Sequence, residues 1–385
     1  MKIGLSLAAA VNKGGIGQYL RLLARGLVHR FPENSYIGYI PGFRDAETRQ
    51  TLISERIEGW DLVTVPAANR WAYETSALPR ALLENPPDLF HGPDYLAPRA
   101  PCPVCVTVHD LAFRLHPSGM ALRSVLLFRL LAPESVGRAA RSGVVFCDSR
   151  STLDDLRKLR WLEADQGRVV HLACEDEFRG TVPEEQIQAV LDKHDVPRTY
   201  FLYVGPIEAR KNLGVLAEAC RIMGNVLEKR GKAMPPLVVT GPLGAGGKRL
   251  IKSLVKTSED RLTYIGYVSR DELRALYAGC TVFCYPSRYE GFGLPPLEAM
   301  SMGKAVISAN STSLPEVVGD AGVLVDPDDV TGWSQAMLMH LTNENLRHER
   351  EQASLEQSRS FSVDKMCTEV MEGYRAAVSD LASSP

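Results

Sequence analysis

Two glutamates, Glu290 and Glu298, bracket a loop carrying Gly291, Phe292, Gly293 and Leu294, followed by the paired prolines Pro295 and Pro296. The apolar run ahead of them, TVFCYP, reads as a buried parallel strand. The prolines fall in the first turn of the next helix, where a missing N–H costs least. Strand, glycine loop and helix N-terminus in succession make an anion site, because unpaired N–H groups and the positive end of the helix dipole converge there. Glu298 is expected in the first helical turn, and Glu290 stands before the glycines. Each carboxylate can accept from two sugar hydroxyls. The stretch suits a phosphorylated, hydroxyl-rich ligand, and a nucleotide sugar is the obvious candidate.

Three further groups could do chemistry. Arg210 and Lys211 follow the strand YFLYVGP, which ends in Gly205, and Asn212 is placed to cap the next helix. Adjacent cations at a strand-to-helix turn can neutralise a diphosphate, arginine in bidentate fashion and lysine as a point charge. His109 and Asp110 end the apolar run VCVTVHD, and His91 and His171 also lie near strand ends. Gly14, Gly15 and Gly17 form a turn between a first strand, Met1–Ala9, and a helix over Gln18–Arg30. Their spacing is not the G-x-G-x-x-G of dinucleotide binding.

Other patterns carry less. PLVVTGPLGAGGK has Pro242 and Arg249 where a phosphate loop needs Gly and Ser or Thr. Cys102 and Cys105 are a lone Cys-x-x-Cys without the second pair or histidines of a zinc site. Asp326-Pro-Asp328 matches a metal-binding Asp-x-Asp, but its context reads as a turn capping the next helix. No metal site is expected.

The elements that position these residues are of one kind. Short apolar runs alternate with helical patterns over 385 residues, which argues for parallel βαβ units in two domains. The boundaries are read as 1–178 and 179–365, with a closing helix over 366–385 that packs back on the first domain. Ser269 with Glu272 forms a capping box ahead of DELRALYAGC. With 45% hydrophobic and 23% charged residues the composition is that of a globular protein, and a net charge of −2 argues against nucleic acid. The eight cysteines fall mostly in strands, as free thiols of a cytosolic protein do. No run reaches the ~20 apolar residues of a membrane span, and the N-terminus reads as a strand rather than a signal peptide. The segment 120–141 has apolar Leu122, Val125, Leu126, Leu130 and Val136 among arginines, with Pro133 expected to break or kink it. A basic amphipathic helix of this kind can lie on the inner face of a membrane or simply cover a sheet.

Within EGFGLPPLE, and continuing through AVISANSTSLPEVVGDAGVLVDPDD, the chain resembles the retaining GT-B-type glycosyltransferases with a double-glutamate (E-x7-E) signature, the bacterial mannosyl- and glucosyltransferase kind. The resemblance is strong over 200–330 and weaker before 170. It implies two doubly wound, Rossmann-like α/β domains facing each other across a cleft, an acceptor side first and a donor-binding side second. It implies a nucleotide-sugar donor, a glycan or lipid-linked saccharide acceptor, and no cofactor. By resemblance, Arg210 and Lys211 stabilise the departing diphosphate and Glu298 holds the ribose. Glu290 and His109 meet the transferred sugar. Gly14 and Gly15 lie under the donor, and the base lies near Tyr267 and Val268. HDLAF and RYEGFGLPPLEAM are more similar to users of GDP-mannose than of UDP-sugars. His171-Leu-Ala-Cys-Glu-Asp departs from the family's Asn-Gly-Val-Asp-like turn. A sugar-nucleotide 2-epimerase and a non-catalytic nucleotide-sugar-binding protein are the alternatives.

Overall fold

The computed structural model describes residues 1–117, 121–244 and 246–382. Met120, Ala245 and the tail from Ser383 discussed above lie outside them. The chain divides into two compact units, the first from Met1–Leu115, Ala121–Ala173 and the return from Phe361, the second built mainly on Cys174–Ser360.

The first unit holds β1 (Lys2–Ser6), β2 (Ser35–Pro41), β3 (Asp61–Val65), β4 (Leu89–Gly92), β5 (Val104–Val108), β6 (Val145–Cys147) and β7 (Arg168–Val169). All pairs are parallel, in the order β3-β2-β1-β4-β5-β6-β7. The second holds β8 (Phe201–Val204), β9 (Leu237–Thr240), β10 (Leu262–Gly266), β11 (Val282–Tyr285), β12 (Val306–Ala309) and β13 (Val323–Val325). They are again parallel, in the order β10-β9-β8-β11-β12-β13. FLYV, LVVT, VFCY and VISA are buried at every position. That is the mark of strands covered by helices on both faces, and it explains their unbroken apolar runs. Strand order reverses between β1 and β4 in one unit and between β8 and β11 in the other. At such reversals the loops leaving the carboxyl ends diverge and open a crevice.

Three expectations about helices change. The first helix is Gly15–Arg30, so two of the glycines lie inside it. Gly17 has a packing reason, since a Cβ there would stand 1.9 Å from the Asn12 carbonyl oxygen. The helix Leu122–Ser142 runs unbroken through Pro133. Val125, Ala132, Ser135, Val136 and Ala139 are buried on both sides of the proline, and this packing holds the halves in line where local propensity would not. Three of its leucines do not join that face. Leu122, Leu126 and Leu130 are 80%, 56% and 52% exposed. Asn212 does not cap with its side chain. It sits at φ 55° and donates to the Pro327 carbonyl at 2.6 Å instead. The capping box of Ser269 and Glu272 is present. No helix among the described residues is long and apolar enough to cross a membrane.

Candidate functional site

The β8/β11 reversal gathers the residues singled out in the second half of the sequence. Chain leaving β8 makes a single tight turn, Ala209–Lys211, and carries Lys211 into the interior, where it is 3% exposed. Chain leaving β11 brings Glu290 to it. Lys211 Nζ donates to Glu290 Oε1 at 2.5 Å and to the Tyr285 hydroxyl at 3.1 Å, and Tyr285 donates to the same carboxylate oxygen at 2.9 Å. Arg210 Nη1 lies 3.6 Å from Glu290 Oε2 and donates to the Tyr289 carbonyl at 3.0 Å, while its Nε donates to Glu208 at 3.1 Å. Burial pulls the Lys211 ammonium below its ordinary value, and Glu290 partly restores it. Burial would raise the Glu290 carboxyl, but Lys211 and then Arg210 outweigh it and hold it below the carboxylate range. Each group thus favours the charged form of the other. Two cations face two carboxylates, and the cluster is balanced within itself.

The glycine loop supplies donors. Gly293 has φ 123°, a backbone state that only glycine adopts without strain, and a Cβ there would stand 2.9 Å from the Leu314 side chain. It precedes the helix Leu294–Ser301. Because Pro295 and Pro296 have no N–H, the amides at this helix start are those of Gly293 and Leu294. Neither finds an acceptor among the described residues. Gly291 and Phe292 are buried beside them. The loop is clamped from below by the turn after β12. Ser313 Oγ donates to the Phe292 and Glu290 carbonyls at 2.6 and 3.1 Å, Ser311 donates to the Ser287 carbonyl at 2.6 Å, and Glu290 N donates to Thr312 at 3.0 Å. Glu298 is the fifth residue of its helix rather than part of the first turn, because the prolines occupy that turn. It is 7% exposed and accepts from the Tyr277 hydroxyl at 2.9 Å. Gly205 follows β8 and packs closely against Gly241, and Val268 is buried after β10, next to a Tyr267 that is 65% exposed.

The first unit places its residues differently. His109 leaves β5 fully inside, 5% exposed, with Nδ1 2.7 Å from Asp148 Oδ2 and Nε2 2.7 Å from the Pro93 carbonyl. A carbonyl only accepts, so Nε2 carries a proton. The Nδ1 bond to Asp148 holds a second one between ring and carboxylate. Burial alone would lower the imidazole. The Asp148 charge, its hydrogen bond and the Pro93 carbonyl together raise it. Both ring nitrogens are thus used inside the unit. Asp110 accepts from Ala112 N at 2.9 Å and from the Tyr95 hydroxyl. His91 is a core residue bonded to Tyr374 at 2.6 Å and Thr107 at 2.8 Å. Gly14 precedes the first helix with open space around it, and Gly15 is that helix's first residue.

Sequence reasoning did not single out Tyr285, Glu208, Asp148 or the Ser311–Ser313 clamp. The Asp148 partnership had no local signal, because 39 residues separate it from His109. Asp326 and Asp328 form the expected turn, and Asp329 caps the next helix through Gly332 N. Among the described residues no group of three or more His, Cys, Asp or Glu is arranged to hold a metal ion, and all eight cysteines are free thiols.

Residues 184–357 match the family Glycosyl transferases group 1, and residues 13–178 match Glycosyltransferase Family 4. The chain is 34% identical over 289 residues to the O-antigen chain mannosyltransferase B of Escherichia coli, covering 74% of each. It is 31% identical over 251 residues to the E. coli serotype-specific mannosyltransferase WbdA, covering 64% of this chain but only 30% of that longer protein. Among solved structures, Anabaena Alr3699/HepE in complex with UDP and glucose matches with a TM-score of 0.74 at 17% identity, covering 98% of this chain and 100% of that one. This likeness establishes a shared GT-B-type fold.

Proposed function

Because the chain belongs to the group 1 and family 4 glycosyltransferases, we propose that it moves mannose from GDP-mannose to a hydroxyl of a glycan or lipid-linked saccharide during cell-surface polysaccharide synthesis. One observation carries the reading. Arg210, Lys211 and Glu290 meet at the β8/β11 reversal, beside two backbone amides that lack acceptors. A diphosphate entering there draws Lys211 and Arg210 onto itself and receives the amides of Gly293 and Leu294. Glu290, released from part of its pairing, turns to the sugar hydroxyls, and Glu298 takes the ribose. Negative charge that builds on the departing diphosphate is opposed in advance by fixed groups. The bond from the anomeric carbon to the diphosphate breaks, and the bond to the acceptor oxygen forms on the same face. The acceptor's proton passes to the leaving phosphate oxygen. The two carboxylates at this turn, Glu208 and Glu290, are held by Arg210 and Lys211, so retention is expected without a covalent sugar–enzyme intermediate. His109, with both nitrogens engaged inside its own unit, is set to hold the end of β5 rather than to act as a base.

The mannosyltransferase relatives and the HDLAF and RYEGFGLPPLEAM motifs favour mannose and GDP. The outward Leu122, Leu126 and Leu130, beside exposed Arg123 and Arg129, support a peripheral contact with an anionic membrane, where a lipid-linked acceptor would be met. The test is a thermal-shift panel of GDP, UDP, ADP and their sugars, followed by product analysis by NMR. A ligand at about 100 times its Kd stabilises by about 2.7 kcal/mol. A GDP-selective shift with an α-linked product supports the reading. A UDP-selective shift moves the donor to another hexose, an inverted anomer removes the retaining mechanism, and nucleotide release without acceptor points to the epimerase.

A further inference from the structure

A second polar site lies in the first unit, beginning one residue after the Pro93 that meets His109. The helical turn Arg70–Ala72 widens into a π turn, Tyr73–Ala77, an irregular form found disproportionately at functional sites. Tyr73 pins it over the carboxyl ends of β1 and β2, donating to the Tyr39 carbonyl at 3.1 Å and meeting Ser6 Oγ at 3.2 Å. Arg70 and Glu74 thereby reach Asp94, which follows β4 at the β1/β4 reversal. Arg70 Nη2 donates to both Asp94 oxygens, at 2.9 and 2.7 Å, and its Nε lies 2.6 Å from Glu74 Oε1. Glu74 is 6% exposed, yet its Oε1 makes no hydrogen bond, because the pair with Arg70 is out of line. Burial, opposed by Arg70 and aided by Asp94, pushes the Glu74 carboxyl up to about 7. Near neutrality it can both donate and accept.

Glu74 lines a cavity of about 190 Å3 together with Thr75, Leu96, Glu134, Ser135 and Arg138. That is smaller than the ~300–1,000 Å3 of a drug-sized pocket and equals the liquid volume of about six waters, the scale of one sugar ring. Carboxyl groups, hydroxyls, a guanidinium and an apolar side chain in one small space match a pyranose, which is polar at its edge and apolar on its faces. Trp71 stands at the same turn, 46% exposed, one helical turn before Thr75, whose hydroxyl donates to the Trp71 carbonyl at 2.8 Å. An exposed indole offers a flat apolar surface for the C–H face of a sugar.

We propose that this cavity is the acceptor subsite, taking one neutral hexose residue of the acceptor glycan, with Glu74 bonded to its hydroxyls and Trp71 packed on its ring. The acceptor identity rests on the transferase reading above; the saccharide site does not. Titration calorimetry with methyl α-mannoside and a mannotriose, on the full chain and on Glu74→Gln and Trp71→Ala, tests it. The nucleotide thermal shift serves as the control for the second unit. Saccharide binding weakened about tenfold or more in both variants, with nucleotide shifts intact, is the expected result. Trp71 is exposed, so its replacement leaves the fold in place even where Glu74→Gln disturbs the ion cluster. Equal saccharide binding in all three proteins overturns the proposal, as does absence of saccharide binding in a chain that binds nucleotide. Saccharide binding that depends on both residues, with no nucleotide shift, supports the site and overturns the transferase reading instead.

Discussion

Lys211 with Glu290 and His109 with Asp148 are two buried ion pairs on loops leaving parallel strands, yet they differ in what they leave open. Around Lys211 the charges are held by one another and by a tyrosine, beside amides without acceptors. A ligand can exchange for those contacts. Around His109 both nitrogens are occupied by a carboxylate and a carbonyl within the unit. A ligand could displace them only by leaving buried groups unpaired, which costs about 1–3 kcal/mol for each. Burial and charge therefore do not by themselves mark a reaction centre. What separates the two is the kind of group left over: backbone donors beside Lys211, but at the second pair only an enclosed acceptor, Asp148 Oδ1.

The sharpest test of that distinction is Lys211→Ala. Turnover should fall about 10²–10³-fold, the scale of losing one preorganised transition-state contact. Rates measured with saturating donor check it, and unchanged turnover would remove Lys211 from the mechanism. Asp148→Asn should instead act mainly on stability, by about 1.5–3 kcal/mol for a lost charged hydrogen bond. Its effect depends on pH. Since the His109 pKa is raised on folding, its stabilisation is fully present below about 6.5 and is lost as pH rises through the folded value. Melting curves should show a larger gap between Asp148→Asn and the parent at pH 6 than at pH 9; a constant gap would mean that the pair does not share its proton as described.

Gly293→Ala tests the amide cradle. Strain at φ 123° and contact with Leu314 should cost about 1–3 kcal/mol, and nucleotide affinity should drop with it. Normal affinity would place the phosphates elsewhere. Smallest is Tyr285→Phe, which removes one hydroxyl from a pair that persists. Turnover should fall by about tenfold or less, roughly 1 kcal/mol, with little change in melting temperature because the stacked rings of Tyr203, Phe283 and residue 285 remain. A loss as large as that of Lys211→Ala would make the hydroxyl a principal group of the site.

Much of this was readable in advance where one segment carries both residue type and backbone form. The run from Tyr285 to Gly293 announces strand, loop and helix start by itself. The apolar runs of the strands identify parallel sheets, because a strand buried on both faces has no polar alternation. Pro133 misled, since its local cost is offset by burial that only the packed sheet supplies. Leu122, Leu126 and Leu130 misled for the complementary reason: periodicity finds an apolar stripe but not which side of a helix the sheet covers.

The sequence by itself determined the α/β class and announced the glycine loop, the helix start and the paired cations after β8, since each follows from short-range backbone chemistry. Tertiary structure alone decided which charges meet. Lys211 reaches Glu290 across 79 positions, His109 reaches Asp148 across 39, and Arg70 reaches Asp94 across 24. Those distances along the chain are closed by strand order, and strand order comes from the packing of whole sheets rather than from any local signal.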